Sequence, residues 1–321
     1  MSGALHQYSA YGVAIDSEWA MPLPARAARN AHLAAVSFTD ASADDFAGID
    51  ADDEEPWFLT EMLPDGSRYL RWPLFYECRV DADGGRIRCR PLHGTDRSVM
   101  QHFLFGQALS FALLHQGLEP LHAAVVRIDD VAVALIGDCT FGKSTLVASF
   151  ASAGYPIVTD DLLIAARRNG QIMASPGTGR IKLNPDSARA FLDDGRRGEL
   201  LNPLATKRSY PLLDVEQQLT PLPLTHVFVL PTPGHRGESA RIDARPISTS
   251  SLFHELVKNP FNIDVFTRAR LERQFANAGA LAGRLRGFQL TYPAGFEHLP
   301  DVRQCIVDCV RDTRSTSRSI Q

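Results

Sequence analysis

Hydrophobic and polar positions follow two different rhythms, and the change between them divides the chain. Residues 57–92 run WFLTEM, RYLRWPLFYECRV and RIRCRP, with Asp65-Gly66 and Asp83-Gly84-Gly85 between the runs. Aromatic and polar residues taken in turn, with turn residues at the breaks, predict a β-meander. Ahead of it, Tyr8–Ile15 predicts one strand leading into a Pro-rich segment. Together these make a small, mostly-β N-terminal domain, residues 1–96. Residues 98–116 change to a period of 3.6, with Leu104, Ala108, Phe111 and His115 on one stripe that Phe103 and Leu114 widen. That helix, closed by Gly117, is expected to pack into a second domain, 97–311.

From Leu121 the apolar runs become continuous, as strands covered on both faces do. Leu121–Ile128 and Val131–Ile136 are separated by Asp129-Asp130, a two-residue hairpin signal. If those aspartates form the turn, Ile128 pairs with Val131 and the register carries His122 to Gly137. Ser144–Ala153 reads as a helix closed by Gly154, and Pro156–Thr159 as the next strand. A right-handed crossover lays that strand parallel to Val131–Ile136. Beyond it, Asn169-Gly170 turns Leu162–Ala166 into Gln171–Ala174, and Asn184 caps a helix opened by Pro185. Thr225–Leu230, Arg241–Pro246 and Leu285–Pro293 read as strands. Helices are expected near Ser250–Lys258, Val265–Ala278 and Asp301–Arg311, before a polar tail, 312–321, that frays. The class is α/β.

Between the hairpin and the first helix lies Gly137-Asp138-Cys139-Thr140-Phe141-Gly142-Lys143-Ser144, followed by Thr145. It fits G-x-x-x-x-G-K-[ST], and both required flanks, strand before and helix after, are present. Glycines let such a loop turn its N–H groups inward, and the helix N-terminus adds partial positive charge. Lys143 then reaches the β- and γ-phosphates of a nucleotide, and the Ser144 hydroxyl holds Mg²⁺. Asp160-Asp161 closes the next strand at the same sheet edge, where ligands of open α/β sheets bind. Two carboxylates beside a triphosphate point to one metal ligand and one proton acceptor. The hairpin register brings the His122 imidazole to the mouth of the loop, within reach of Asp160. Arg180 and Lys182 alternate on a later strand, where they either contact nucleotide phosphates or face solvent. The basic loop 193–210, with Arg196, Arg197, Lys207 and Arg208, is either a substrate clamp or a solvated surface.

His122 before the hairpin, GDCTFGKST, and the closing Asp160-Asp161 resemble the catalytic domain of HPr kinase/phosphorylase. They are closer still to the HPr-kinase-like proteins of bacterial peptide-biosynthesis clusters, lasso peptide kinases among them. The resemblance is strongest over 99–182, and reaches 224–299 and the N-terminal strand more weakly. It implies a P-loop kinase core related to phosphoenolpyruvate carboxykinase. It also implies ATP with Mg²⁺ and transfer to a serine hydroxyl of a peptide or small protein. Carried over by position, Gly137 to Thr145 with Arg180 bind the nucleotide, Lys143 and Ser144 taking phosphate and metal. Asp160 is then the base, Asp161 a metal ligand, and His122 the residue that orients Asp160. Two departures stand out: Cys139, Thr140 and Phe141 replace the family's Ser and Gly, and no Glu-Ile-Arg-Gly-Leu-Gly run is present. The second puts phosphorylase activity in doubt.

Composition narrows the alternatives. A net charge of −4 argues against a nucleic-acid partner, which calls for a basic face. No apolar run approaches the roughly 20 residues of a membrane span. Five cysteines without metal-ligand spacing, and no signal peptide, lead to the expectation of a reducing cytoplasm. A homo-oligomer is compatible with this reading. The acidic stretch 40–55 and the arginines 86, 88 and 90 on one strand face are expected to be solvated rather than docking surfaces. A conformational NTPase is the rival function, but the strand ending at Leu230 is followed by Pro231 and not by an acid. A nucleotide-binding scaffold without turnover is the third reading.

Overall fold

Turn residues and alternation set up the first sheet, and continuous apolar strands the second. The computed structural model describes residues 5–27, 34–49, 57–138, 141–192, 197–202, 204–212, 220–232, 241–263 and 267–318. Cys139, Thr140, Arg196, Val265 and the acidic residues 50–55 lie outside them. By contacts, the chain divides into one unit of Met1–Pro120 with Leu200–Ala205, and a second of Leu121–Glu199 with Thr206–Gln321. The boundary expected at 96/97 falls before the first helix, and this division falls after it.

The first unit holds strands β1 (His6–Ala10), β2 (Val13–Ser17), β3 (Ala35–Asp40), β4 (Leu59–Met62), β5 (Arg68–Trp72), β6 (Tyr76–Val80) and β7 (Arg86–Pro91). They form one sheet in the order β1-β2-β3-β7-β6-β5-β4. The meander β4–β7 is antiparallel as expected, whereas β3 pairs in parallel with both β2 and β7. The single strand expected over Tyr8–Ile15 is instead a tight hairpin. Ala10 pairs with Val13 across Tyr11-Gly12, whose φ values of 55° and 81° are the left-handed pair that a two-residue hairpin turn demands. The expected helix is α1 (Arg97–Phe103), a π-turn at Leu104–Ala108 and α2 (Leu109–His115). Leu104, Ala108 and Phe111 are buried. Phe111 lies under the Arg68 guanidinium at 4.9 Å, and Gln116 donates to the Gly84 carbonyl at 3.1 Å. On the opposite sheet face the expected solvated arginines are paired: Arg88 with Asp45 and Asp81, Arg90 with Glu77.

In the second unit β8 (Leu121–Ile128) and β9 (Val131–Ile136) form the expected hairpin, with Ile128 opposite Val131 and Ala123 opposite Ile136. Then come α3 (Lys143–Ser152), β10 (Ile157–Thr159), β11 (Leu162–Leu163), β12 (Ala165–Arg168), β13 (Gln171–Ala174), β14 (Arg180–Leu183) and α4 (Pro185–Phe191). The rest comprises β15 (Glu199–Leu200), β16 (Arg208–Pro211), β17 (Leu222–Val229), β18 (Asp243–Pro246), α5 (Thr249–Lys258), α6 (Arg268–Ala282), β19 (Arg286–Thr291) and α7 (Leu299–Arg318). α7 thus continues past the end expected at Arg311, through residues assigned to a frayed tail.

The main sheet runs β10-β8-β9-β17, with β19 beside β17 and β18 beside β19. β9, β17 and β19 are mutually parallel. β10 is antiparallel to β8 and therefore runs with β9, one strand removed. Side chains of β8 and β9 alternate between two cores. Val126, Val133 and Leu135 pack with Leu146, Phe150 and Ile306 on one face; Val125, Ala134 and Ile136 pack with Leu252, Leu256 and Leu281 on the other. Helices on both faces explain why these strands read as unbroken apolar runs. They also leave the carboxyl ends of β9 and β10 open together at one sheet edge.

Candidate functional site

Three chain segments converge at that edge. β9 ends at Ile136 and is followed by Gly137, whose φ of 146° carries the backbone away from the strand. A Cβ at this position would stand 3.0 Å from the Phe141 ring. Gly142, at φ 76°, turns the chain into α3, and the Lys143 side chain folds back onto the loop carbonyls of Gly137 and of Asp138, the latter at 3.0 Å. A lysine held by carbonyls at the start of a helix is a cation that incoming phosphate oxygens can take over. Thr145, one position past the motif, bonds Ser187 of α4 at 2.9 Å.

The two aspartates at the end of β10 face different partners. Asp160 is buried; its Oδ1 accepts from the Ser144 hydroxyl at 2.8 Å and its Oδ2 from the Lys182 backbone N–H at 2.9 Å. Asp161 adopts a left-handed φ of 77°, unusual for any residue but glycine and a mark of strain often found at functional sites. That twist turns its carboxylate toward β8, with Oδ1 3.3 Å from His122 Nδ1 and Oδ2 accepting from Lys182 Nζ at 2.9 Å. The expectation that His122 orients Asp160 is therefore corrected: the imidazole stands on Asp161. The expected hairpin pairing holds from Ile128–Val131 to Ala123–Ile136, and the pair expected next, His122 with Gly137, is replaced by bonds of both residues to Asn259. The error arose at Asp161, where the backbone twist decides which carboxylate swings toward the histidine.

Electrostatics separate the pair further. Burial, then the like charge of Asp161, pushes the Asp160 carboxyl above its ordinary range, against its two hydrogen bonds. Burial acts on Asp161 in the same sense, but Lys182 and then His122 outweigh it and bring that carboxyl down to about 2. The Asp161 side chain keeps 29% of its surface open, so water weakens these pairings relative to a sealed site. Burial holds the His122 imidazole below its usual value despite the facing carboxylate. The Lys182 ammonium, opposed by burial, is raised by Asp161.

These groups enclose a cavity of about 250 Å³, lined by His122, Lys143, Ser144, Asp161, Lys182 and Lys207 among others. Phe141 and Asn184 also line it. Asn184 holds the N-cap position of α4 and lines the cavity, and its side chain makes no hydrogen bond to the helix amides. Arg180, expected on the nucleotide, pairs with Glu199 at 2.7 Å and donates to Ser209 Oγ at 2.7 Å. Of the two strand cations it is Lys182, two residues along from Arg180, that lines the cavity.

No family model matches the chain, and no curated protein matches it. Among solved structures it is similar to one titled "Structure of the Hpr(Ser) kinase/phosphatase from Coxiella burnetii". The two are 16% identical, and the match covers 62% of this chain and 99% of that one at a TM-score of 0.31. A likeness at that score has no bearing on fold or function.

One residue of the site was invisible in the sequence. The carbonyl of buried Asn259, just past α5, accepts the His122 N–H at 2.9 Å, and its side-chain Oδ1 accepts the Gly137 N–H at 3.2 Å. Its amide nitrogen donates to the Glu255 carbonyl at 2.8 Å. Asn259 therefore sits where the next hairpin pair after Ala123–Ile136 would close, and it splays His122 from the loop. An asparagine after a helix is an ordinary ending, and no local signal marks this one. Among the described residues no three His, Cys, Asp or Glu side chains group into a ready-made metal site. Ser144 and Asp160 supply hard oxygen donors, the kind Mg²⁺ takes when substrate phosphates complete its shell.

Proposed function

We propose that the second unit is an ATP-dependent phosphotransferase that moves the γ-phosphoryl group to a hydroxyl, a serine of a peptide or small protein. One observation carries this reading: two adjacent carboxylates beside a G-x-x-x-x-G-K-S loop are held by different partners, Asp160 by Ser144 and Asp161 by His122 and Lys182. Phosphoryl transfer asks a protein for positioning and charge stabilisation more than for covalent chemistry. Lys143 and the loop amides hold the β- and γ-phosphates. Ser144 and Asp160 are the residues that would hold Mg²⁺, which when bound neutralises charge on the phosphates. Asp161 is the base, poised by His122. This exchanges the roles that the resemblance gave the two aspartates, and it does so because Ser144, the loop's metal-binding hydroxyl, bonds Asp160. The acceptor oxygen bonds the γ-phosphorus as that phosphorus parts from its bridging oxygen. The electron pair leaves with ADP, and the hydroxyl proton passes to Asp161.

The test is whether ATP consumption depends on an added acceptor. Incubation with Mg²⁺, ATP and serine-containing peptides should yield phosphopeptide by mass spectrometry, with ADP formed in step. ADP released at the same rate without acceptor would make the protein an NTPase. No ADP under any condition would leave a nucleotide-binding scaffold.

A further inference from the structure

Both oxygens of the proposed base are already engaged. Asp161 Oδ1 faces His122, and Oδ2 accepts from the Lys182 ammonium at 2.9 Å. An ammonium at Oδ2 takes up one of that oxygen's lone pairs and lowers the basicity of the carboxylate, so Asp161 becomes a better acceptor for the hydroxyl proton when that partner withdraws. The His122 ring is packed against Phe261 at 6.0 Å between centroids, and its backbone N–H is tied to Asn259. Lys182 is different, for it ends a flexible four-carbon stem whose side chain is 31% exposed and lines the same cavity as Lys143 and Ser144. Its backbone stays anchored whatever the ammonium does, because its N–H holds Asp160 Oδ2 at 2.9 Å and β14 pairs it with Ser209 of β16. A triphosphate placed by the loop adds the one kind of group that outcompetes a single carboxylate for an ammonium, a multiply charged phosphate oxygen cluster.

Resting on the phosphotransferase reading, we infer that Lys182 is a catalytic residue that hands its ammonium from Asp161 to the γ-phosphoryl group when nucleotide binds. One movement then does two things. It supplies positive charge where negative charge spreads in the transition state, and it uncovers Asp161 Oδ2 as the proton acceptor. The base is masked while the cavity holds no nucleotide and is released only beside a phosphoryl group that can be transferred. Asp160 stays in place throughout, since its bond is to the Lys182 backbone and not to the moving side chain.

The experiment compares wild type, Lys182→Ala, Lys182→Met and Lys182→Arg for acceptor phosphorylation at saturating ATP and Mg²⁺. Loss of one preorganised charge donor lowers kcat by roughly 10²–10³, and the KM for ATP is expected to move much less. Because the cavity is open, ethylammonium should restore Lys182→Ala at least about tenfold, the order of one charge-assisted hydrogen bond, while tetramethylammonium at equal ionic strength should not. Lys182→Arg should keep more activity than Lys182→Met. A Lys182→Met rate close to wild type overturns the inference, and so does a loss that no amine rescues and that parallels lost ATP binding. If the variants fail to fold, the wild-type structure with Mg²⁺ and a non-hydrolysable ATP analogue decides. Lys182 Nζ is expected on the γ-phosphate, and finding it still on Asp161 refutes the handover. Wild-type transfer with an indifferent Lys182 sinks this inference alone, whereas no transfer by wild type to any acceptor sinks the phosphotransferase reading as well.

Discussion

Glu77 in the first unit and Asp161 in the second are both carboxylates gripped by bases from two sides. Glu77 is 2% exposed and sits in a ladder across three strands, with Arg71 at 3.0 Å, Arg90 at 2.6 Å and the Tyr69 hydroxyl at 2.5 Å. Arg90 in turn covers the Phe46 ring at 4.8 Å. The ladder uses regular strand geometry: Arg71 and Arg90 are the direct cross-strand neighbours of Glu77 on β5 and β7. Asp161 has a comparable number of partners, but a left-handed backbone presents it to a cavity lined by Gly142, Lys143 and Ser144. An acid between two bases is therefore no sign of catalysis in itself. Access and strain distinguish the site from the girder.

Mutation should separate them cleanly, and the largest effect is expected in the second unit. Asp161→Asn should lower acceptor phosphorylation by roughly 10²–10⁴, the usual worth of a general base, with near-normal MgATP affinity. Asp160→Asn should raise the Mg²⁺ requirement and weaken nucleotide binding together. Isothermal titration of MgATP beside a phosphorylation assay reads both. If Asp160→Asn spares binding while Asp161→Asn abolishes it, the two roles revert to those that the resemblance implied.

Glu77→Ala should do the reverse. It leaves buried Arg71 without its carboxylate while Arg90, 34% exposed, turns to water, so the loss should fall below the roughly 3–5 kcal/mol of a fully buried pair. Urea unfolding followed by tryptophan fluorescence should register that loss, since Trp72 lies on the neighbouring strand β5. The specific activity of the folded fraction should stay unchanged. A Glu77→Ala protein of wild-type stability would mean that the ladder holds nothing together.

How much of this could be read from the sequence follows the range of each interaction. The meander and the β8–β9 pairing as far as Ala123–Ile136 were legible because turn residues and alternation are local signals. The Tyr11-Gly12 turn was misread as strand interior, since Tyr is a good strand former and rarely adopts a positive φ. β3 and its parallel neighbours escaped because strand order is a long-range property. The different partners of Asp160 and Asp161 turned on one dihedral angle. Asn259 reaches Gly137 across a separation of 122 residues, and nothing nearby announces it. Its effect should be intermediate. Asn259→Ala leaves the buried Gly137 N–H without its acceptor, at about 1–3 kcal/mol. It should also cut kcat by about tenfold, the scale of a 1.4 kcal/mol misplacement, with MgATP affinity falling less.

The smallest expected effect contrasts the two aspartates themselves, in protein stripped of metal and nucleotide. Asp161 is held below the ordinary carboxyl value, at about 2, so its contribution to stability is present above the ordinary value near 3.9 and disappears as pH falls toward about 2. Asp160 is shifted the other way: folding raises its value, so the folded state is penalised at neutral pH, and the penalty lifts as pH falls through the raised value. Asp160→Asn removes that buried charge while both hydrogen bonds survive. Asn Oδ1 can accept from the Lys182 N–H, and Nδ2 can donate to the Ser144 hydroxyl, which accepts as readily as it donates. Urea midpoints measured from pH 7 to pH 2 should therefore show Asp160→Asn more stable than wild type at pH 7, with the advantage shrinking as the solution is acidified. Asp161→Asn should be less stable than wild type at pH 7, and the two curves should converge near pH 2. Parallel curves for the two variants would mean that the neighbours share one environment, and the assignment of separate roles would lose its electrostatic support.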